Sequence, residues 1–185
     1  MVLFLLAALQ ATPAAAPAES AAVAAPRRLV FASLYSLDWS ILSPTPSGQV
    51  SLFLGSSLRP LTGRWGRSWK SALGYELGVS AGGADRATAF YSFGGDYGIV
   101  YHRHHLATLG YGGPNNRLYY QFGGGLLMWR TVPVALEADT RLGVVLGTRR
   151  AGRVKGVVGG ETRIVGVLGG IPMLHVGIFA GLLIF

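Results

Sequence analysis

The sequence predicts an all-β chain closed into an antiparallel transmembrane barrel of eight strands, with ten as the alternative count. Three observations predict it. Of the 185 residues half are apolar, only 13% are charged and 28 are glycine. Between the turn signals, apolar and polar side chains alternate with a period of two, as a barrel wall with one face to lipid and one to a lumen requires. Beyond the first residues, only one uninterrupted apolar run is long enough for a helix to cross a bilayer.

The composition also excludes several classes. Disordered chains are poor in apolar and aromatic residues. A disulfide scaffold or a Cys-based metal site is impossible without cysteine, and there is none. Ordinary soluble enzymes carry about 25% charged residues, well above this chain. A membrane protein remains.

Two regions are expected: residues 1–24, a signal peptide with an Ala/Pro-rich stretch, and residues 27–185, the barrel. Residues 2–9 are apolar, and the segment after them is dominated by Ala and Pro. Ala16-Pro17-Ala18 and Ala22-Val23-Ala24 fit the small-x-small pattern of a cleavage site. The apolar run is too short for a transmembrane helix, which needs about 20 residues.

The strands follow from alternation. In residues 29–42, Leu29, Phe31, Tyr35, Leu37, Trp39 and Ile41 oppose Ser36, Asp38 and Ser40. In residues 68–81, Trp69, Leu73, Tyr75, Leu77 and Val79 oppose Lys70, Gly74, Glu76, Gly78 and Ser80. In residues 134–147, Leu136, Leu142, Val144 and Leu146 oppose Glu137, Asp139 and Arg141. A helix of about 3.6 residues per turn would spread those last three charges over about 200° of its surface; a strand gathers them on one face. The rival helix, residues 164–185, contains five glycines and Pro172, all poor helix formers, and it has no partner span. Since lipid admits only helices or closed barrels, the short alternating runs favour the barrel. The runs 29–42, 49–59, 68–81, 87–101, 105–112, 117–130, 134–147, 155–168 and 172–185 are candidates. They number nine, whereas bacterial single-chain barrels have even counts, so one assignment is in error; 105–112 and 29–42 are the weakest. An eight-stranded barrel is just wide enough for its own side chains to fill, which argues against an open pore. Gly94, Gly95, Gly123, Gly124, Gly125, Gly159 and Gly160 lack the spacing of phosphate loops and read as relief of crowding in a small, bent sheet.

The last run, counted back from Phe185 in steps of two, reads Phe185, Leu183, Gly181, Phe179, Gly177, His175, Met173. A terminal Phe preceded by apolar or aromatic residues at every second position resembles bacterial outer-membrane β-barrel proteins. The resemblance covers roughly residues 29–185, at the level of the class. It implies location in the outer membrane of a Gram-negative bacterium and recognition of the Phe185 end by the outer-membrane assembly machinery.

If the alternation holds, Asp38, Glu76, Asp96, Glu137, Asp139 and Glu161 point inward with Lys70, Arg141 and Arg163. Buried charges must be paired, so Lys70, Glu76, Asp96, Glu137, Asp139, Arg141, Glu161 and Arg163 are expected to form a lumen charge network that fixes strand register. Three further groups of basic residues stand out: Arg59, Arg64 and Arg67; His102-Arg103-His104-His105; and Arg149, Arg150, Arg153 and Lys155. Counting hairpins back from a periplasmic Phe185 puts the first two groups on the outer rim and the third on the periplasmic rim. Because Arg binds phosphate bidentately, Arg59, Arg64, Arg67 and Arg103 are candidates for contact with lipopolysaccharide; the alternative is snorkelling beside an aromatic girdle. The basic groups are dispersed, which argues against nucleic acid despite the net charge of +8.

Some outer-membrane barrels modify lipid A with a Ser or His and a supporting acid, and the His cluster invites that comparison. No Ser-His-acid pattern is legible, and the three histidines could equally bind a metal or be exposed. No catalytic residue, metal site or cofactor is therefore assigned. The expected role is structural or interactive within the cell envelope, with membrane lipid and other envelope proteins as partners; a lipid A-modifying enzyme and a narrow channel are the alternatives.

Overall fold

The computed structural model describes residues 28–41, 43–58, 61–62, 68–82, 99–147, 153–167 and 172–185. It contains strands β1 (Leu29–Ser40), β2 (Ser43–Ser57), β3 (Leu61–Thr62), β4 (Ser68–Gly82), β5 (Ile99–Gly112), β6 (Leu118–Trp129), β7 (Val132–Leu146), β8 (Val154–Val167) and β9 (Met173–Ile184). The two-residue β3 pairs only with β4. The other eight form a ring in which each strand pairs antiparallel with two neighbours. β2 pairs with β4 across the short β3, and β1 pairs with β9, Phe31 opposite Ile184, to close it. No sheet edge is left open among these eight, so each strand's backbone groups are satisfied by its neighbours.

The even count resolves the ninth candidate run. Residues 105–112 are the second half of β5, which begins at Ile99; residues 87–98 lie outside the described residues. The rival helix is overturned as well. Its residues 164–167 are the end of β8 and its residues 173–184 are β9. Glycine supplies little to a helix but allows a tight sheet.

Two turns follow directly from local chemistry. Gly113 has φ +72° and Asn115 and Asn116 have φ 58° and 55°, so the connection of β5 to β6 needs left-handed backbone. Gly and Asn adopt it at low cost. Between β6 and β7 only Arg130 and Thr131 intervene, with Arg130 at φ 56°.

Antiparallel strands put Leu29, Ser57, Ser68, Gly112, Leu118, Leu146, Val154 and Phe185 at one end of the barrel, here the terminal end, and Ser40, Gly82, Ile99, Trp129, Val132 and Met173 at the distal end. Arg59, Arg64 and Arg67 lie outside the described residues, in the segment that joins β2 to β4. The strand ends it joins, of β2 and β4, are at the terminal end, with Phe185. The expected opposition between these strand ends and the C-terminus is thus overturned, because the hairpin count takes β5 as two strands.

The interior is layered. At the terminal end Val30, Leu34, Phe53, Leu109, Tyr119, Phe179 and Leu183 form an apolar core, with Phe185 packed against it. At the distal end Tyr101, Leu127, Ala135 and Val165 form a second cluster. Buried charges lie between. Along β9 the odd-numbered residues turn inward and Leu174, Val176, Ile178, Leu182 and Ile184 face out. The terminal Phe185 ring meets Tyr111 edge-on, centroids 5.2 Å apart.

Candidate functional site

Period two sends one residue in two to the interior, and all eight wall strands contribute polar side chains there. β1 supplies Asp38, β2 Gln49, β4 Glu76, β5 Arg103 and His105, β6 Gln121, β7 Glu137, Asp139 and Arg141, β8 Glu161 and Arg163, and β9 His175; all but the half-buried His175 are buried. Room for them comes from inward glycines on the neighbouring strand. Gly123 lies opposite Asp139, and a Cβ there would sit 2.4 Å from Asp139 Oδ1. Gly125 lies between His105 and Glu137, and a Cβ there would sit 1.9 Å from the His104 carbonyl oxygen.

Arg141 is the hub. Its Nε donates to Glu161 Oε2 at 2.5 Å, and its Nη1 reaches Glu76 Oε1 at 2.9 Å and Asp139 Oδ2 at 3.2 Å. Gln121 donates to the other Glu76 oxygen and accepts from the Tyr119 hydroxyl at 2.7 Å. Arg103 donates through Nε to Glu137 Oε1 at 2.8 Å and pairs with the same carboxylate through Nη2, which also lies 3.5 Å from Asp139 Oδ2. Towards the distal end Arg163 Nη2 is 2.7 Å from Asp38 Oδ2, and its Nη1 is 3.6 Å from Glu137 Oε2. Asp38 also accepts from Ser47 and Gln49, and Gln49 reaches Glu161 at 3.3 Å. The result is one connected network across the bore. Taking a charge out of water is expensive, and pairing with additional hydrogen bonds is what offsets it.

Six expected members, Glu76, Glu137, Asp139, Arg141, Glu161 and Arg163, are brought together in this network. Asp96 lies outside the described residues. Lys70 is a correction: it is exposed at the terminal mouth, its ammonium 5.5 Å from the Tyr111 ring centre and shared there with Lys155 at 5.3 Å. The interior at that end is apolar and aromatic, so the ammonium stays near water. Arg103 is the second correction. It is fully buried among carboxylates and cannot reach a lipid phosphate, because within an unbroken β5 the odd positions face inward. His105 joins it, while His102 and His104 face outward. The three histidines therefore do not share a ligand. The signal that could have placed Arg103 and His105 was Ala107, Leu109 and Tyr111 continuing the same inward phase.

The distal corner holds a serine, a histidine and an acid, and their wiring bears on catalysis. A triad needs the serine hydroxyl against the imidazole and the acid behind it. Here Asp38 sits in the middle: Ser47 donates to Asp38, and His175 Nδ1 lies 3.4 Å from the same Asp38 oxygen. Arg163 Nη2 lies 3.1 Å from the Ser47 oxygen and 3.3 Å from His175 Nδ1. The serine donates to the carboxylate and not to the imidazole, so the three are not wired as a triad.

No match is found. Comparisons with protein-family models, with curated proteins and with solved structures all return nothing similar. What the chain can do is therefore argued from its own geometry: an interior of paired charges, plugged at one end by apolar side chains, and an outer wall of opposite character.

Proposed function

We propose that this chain is an integral outer-membrane β-barrel with a structural or interaction role in the cell envelope, and that it conducts nothing through its centre. One observation carries the membrane reading. Among the described wall residues, outward positions hold no Asp, Glu, Lys or Arg, whereas every strand shows water-averse side chains, such as Leu37, Leu52, Leu77, Leu106, Phe122, Leu142, Ile164 and Ile178, each 42–71% exposed. Soluble monomers rarely expose contiguous apolar patches beyond a few hundred Å², and a continuous apolar band around a polar interior is the arrangement a bilayer stabilises. The eight wall strands have 12–15 residues, above the roughly 9–11 that cross a bilayer when tilted. Trp69, Tyr120 and Phe122 stack at the terminal end, with centroids 5.6 and 5.8 Å apart, suited to a membrane–water interface.

The non-conducting part rests on the packed bore. Recognition of the Phe185 end by the assembly machinery belongs to this proposal as a contact its envelope setting would supply. The test is cell fractionation together with gel mobility. The protein is expected in the outer-membrane fraction, migrating faster unheated than boiled, and silent in planar bilayers. Recovery in the soluble or inner-membrane fraction, or stepwise single-channel currents, would overturn it.

A further inference from the structure

We propose that the barrel interior is a binding site for one divalent transition-metal cation, held by the His105 imidazole with the Asp139 and Glu76 carboxylates. β5, β7 and β4 bring one ligand atom from each of these buried residues within 4.8 Å of one another. Three orphaned atoms mark the place. His105 is fully buried and neither ring nitrogen makes a hydrogen bond, and Asp139 Oδ1 makes none either. Both guanidiniums that reach Asp139 do so at Oδ2, Arg141 at 3.2 Å and Arg103 at 3.5 Å, so Oδ1 is turned to His105 instead. Leaving such groups dry and unpartnered is costly.

The spacing suits a metal. His105 Nδ1 and Asp139 Oδ1 are 3.5 Å apart, too far for a good hydrogen bond. They are close to the edge of a tetrahedron whose bonds are about 2.0–2.1 Å long, roughly 3.3–3.4 Å. On the other side of the ring Nε2 lies 3.7 Å from Glu137 Oε1, so Nδ1 is the nitrogen that faces the Asp139 carboxylate. Gly123 contributes by omission, since a Cβ there would meet Asp139 Oδ1 at 2.4 Å. Charge balance argues the same way. Among the described residues the buried carboxylates Asp38, Glu76, Glu137, Asp139 and Glu161 outnumber the buried guanidiniums Arg103, Arg141 and Arg163 by two, and a divalent cation supplies the difference. One imidazole with two carboxylates suits zinc and its first-row neighbours better than calcium or magnesium, which prefer oxygen alone. This inference concerns the interior and holds whatever surrounds the outer wall.

The experiment uses the untagged full chain folded into detergent micelles with Co2+ alone as probe, dialysed, and compared with protein folded in a chelator. The expected result is a single Co2+ retained per chain, visible ligand-field absorption, and a higher thermal unfolding midpoint than the chelated sample. His105→Asn should lower retention about tenfold or more, while His104→Ala, on the outward face of the same strand, should retain the ion. Equal retention in the two variants overturns the site. So does wild-type protein with no absorption band and an unchanged midpoint. If His105→Asn fails to fold, the wild-type spectrum and midpoint decide.

Discussion

Arg141 contacts three carboxylates, Glu76 on β4, Glu161 on β8 and Asp139 two residues before it on β7, and all of them are buried. Its removal leaves Glu76, Asp139 and Glu161 with much less compensating charge. Breaking a buried pair by deleting one partner costs about 3–5 kcal/mol, because the partner's desolvation is no longer offset. Arg141→Met is therefore expected to lower the unfolding free energy by that order, measured by denaturant unfolding followed through tryptophan fluorescence. Lys70→Ala should leave the unfolding free energy within about 0.5 kcal/mol of the parent, as surface changes do, because Lys70 lies at the mouth over Tyr111 and not among the acids. A loss at Lys70 as large as at Arg141 would mean that the network is not what holds the interior. The two residues looked alike in the sequence, each a basic side chain on the inward phase of an alternating run. What separates them is depth along the barrel, which period two does not encode.

At the scale of the strand, the packing decides which glycines matter. Gly125 is on β6 between two strands that carry large inward side chains, and a Cβ there meets the His104 carbonyl oxygen at 1.9 Å. A backbone carbonyl cannot rotate away as a side-chain tip could. Gly125→Ala is thus expected to push β5 and β6 apart, at about 1–3 kcal/mol for an overpacked site, whereas Gly48→Ala, with nothing within 4 Å, should be neutral in the same unfolding experiment. Equal effects would show that backbone entropy, not space, governs both. Strand existence and facing were legible where one face was charged: Glu137, Asp139 and Arg141 could lie together only on a strand. The facing of β5 was not, because His102 and His104 outside and Arg103 and His105 inside give both faces the same polarity. With no contrast between faces, the run lost its period and was divided in two. That single error moved the expected position of the β2–β4 connection to the wrong end. The pairings that create the site, such as Gly123 opposite Asp139, depend on register between strands distant in sequence, which no local pattern carries.

For the molecule as a whole, the distribution of polarity makes a prediction that depends on depth. The ionic interior is shielded by the wall and by apolar clusters at the ends, so its stability should respond little to salt, while the outer face should respond strongly to its solvent. Ile178 is 60% exposed at the middle of β9 and Leu146 is 51% exposed at the end of β7. In a bilayer, an arginine near the midplane costs about 2–4 kcal/mol and near the interface about 0–1. In water both positions would be ordinary surface, tolerant to within about 0.5 kcal/mol. Ile178→Arg is accordingly expected to destabilise the barrel in lipid vesicles well beyond Leu146→Arg, measured by denaturant unfolding of each variant. The gradient between the two positions is the informative quantity, because a purely local packing defect would not follow distance from the strand's midpoint. Two variants of equal and negligible cost would mean that the apolar wall faces something other than hydrocarbon, and the membrane reading would fall with the fold intact.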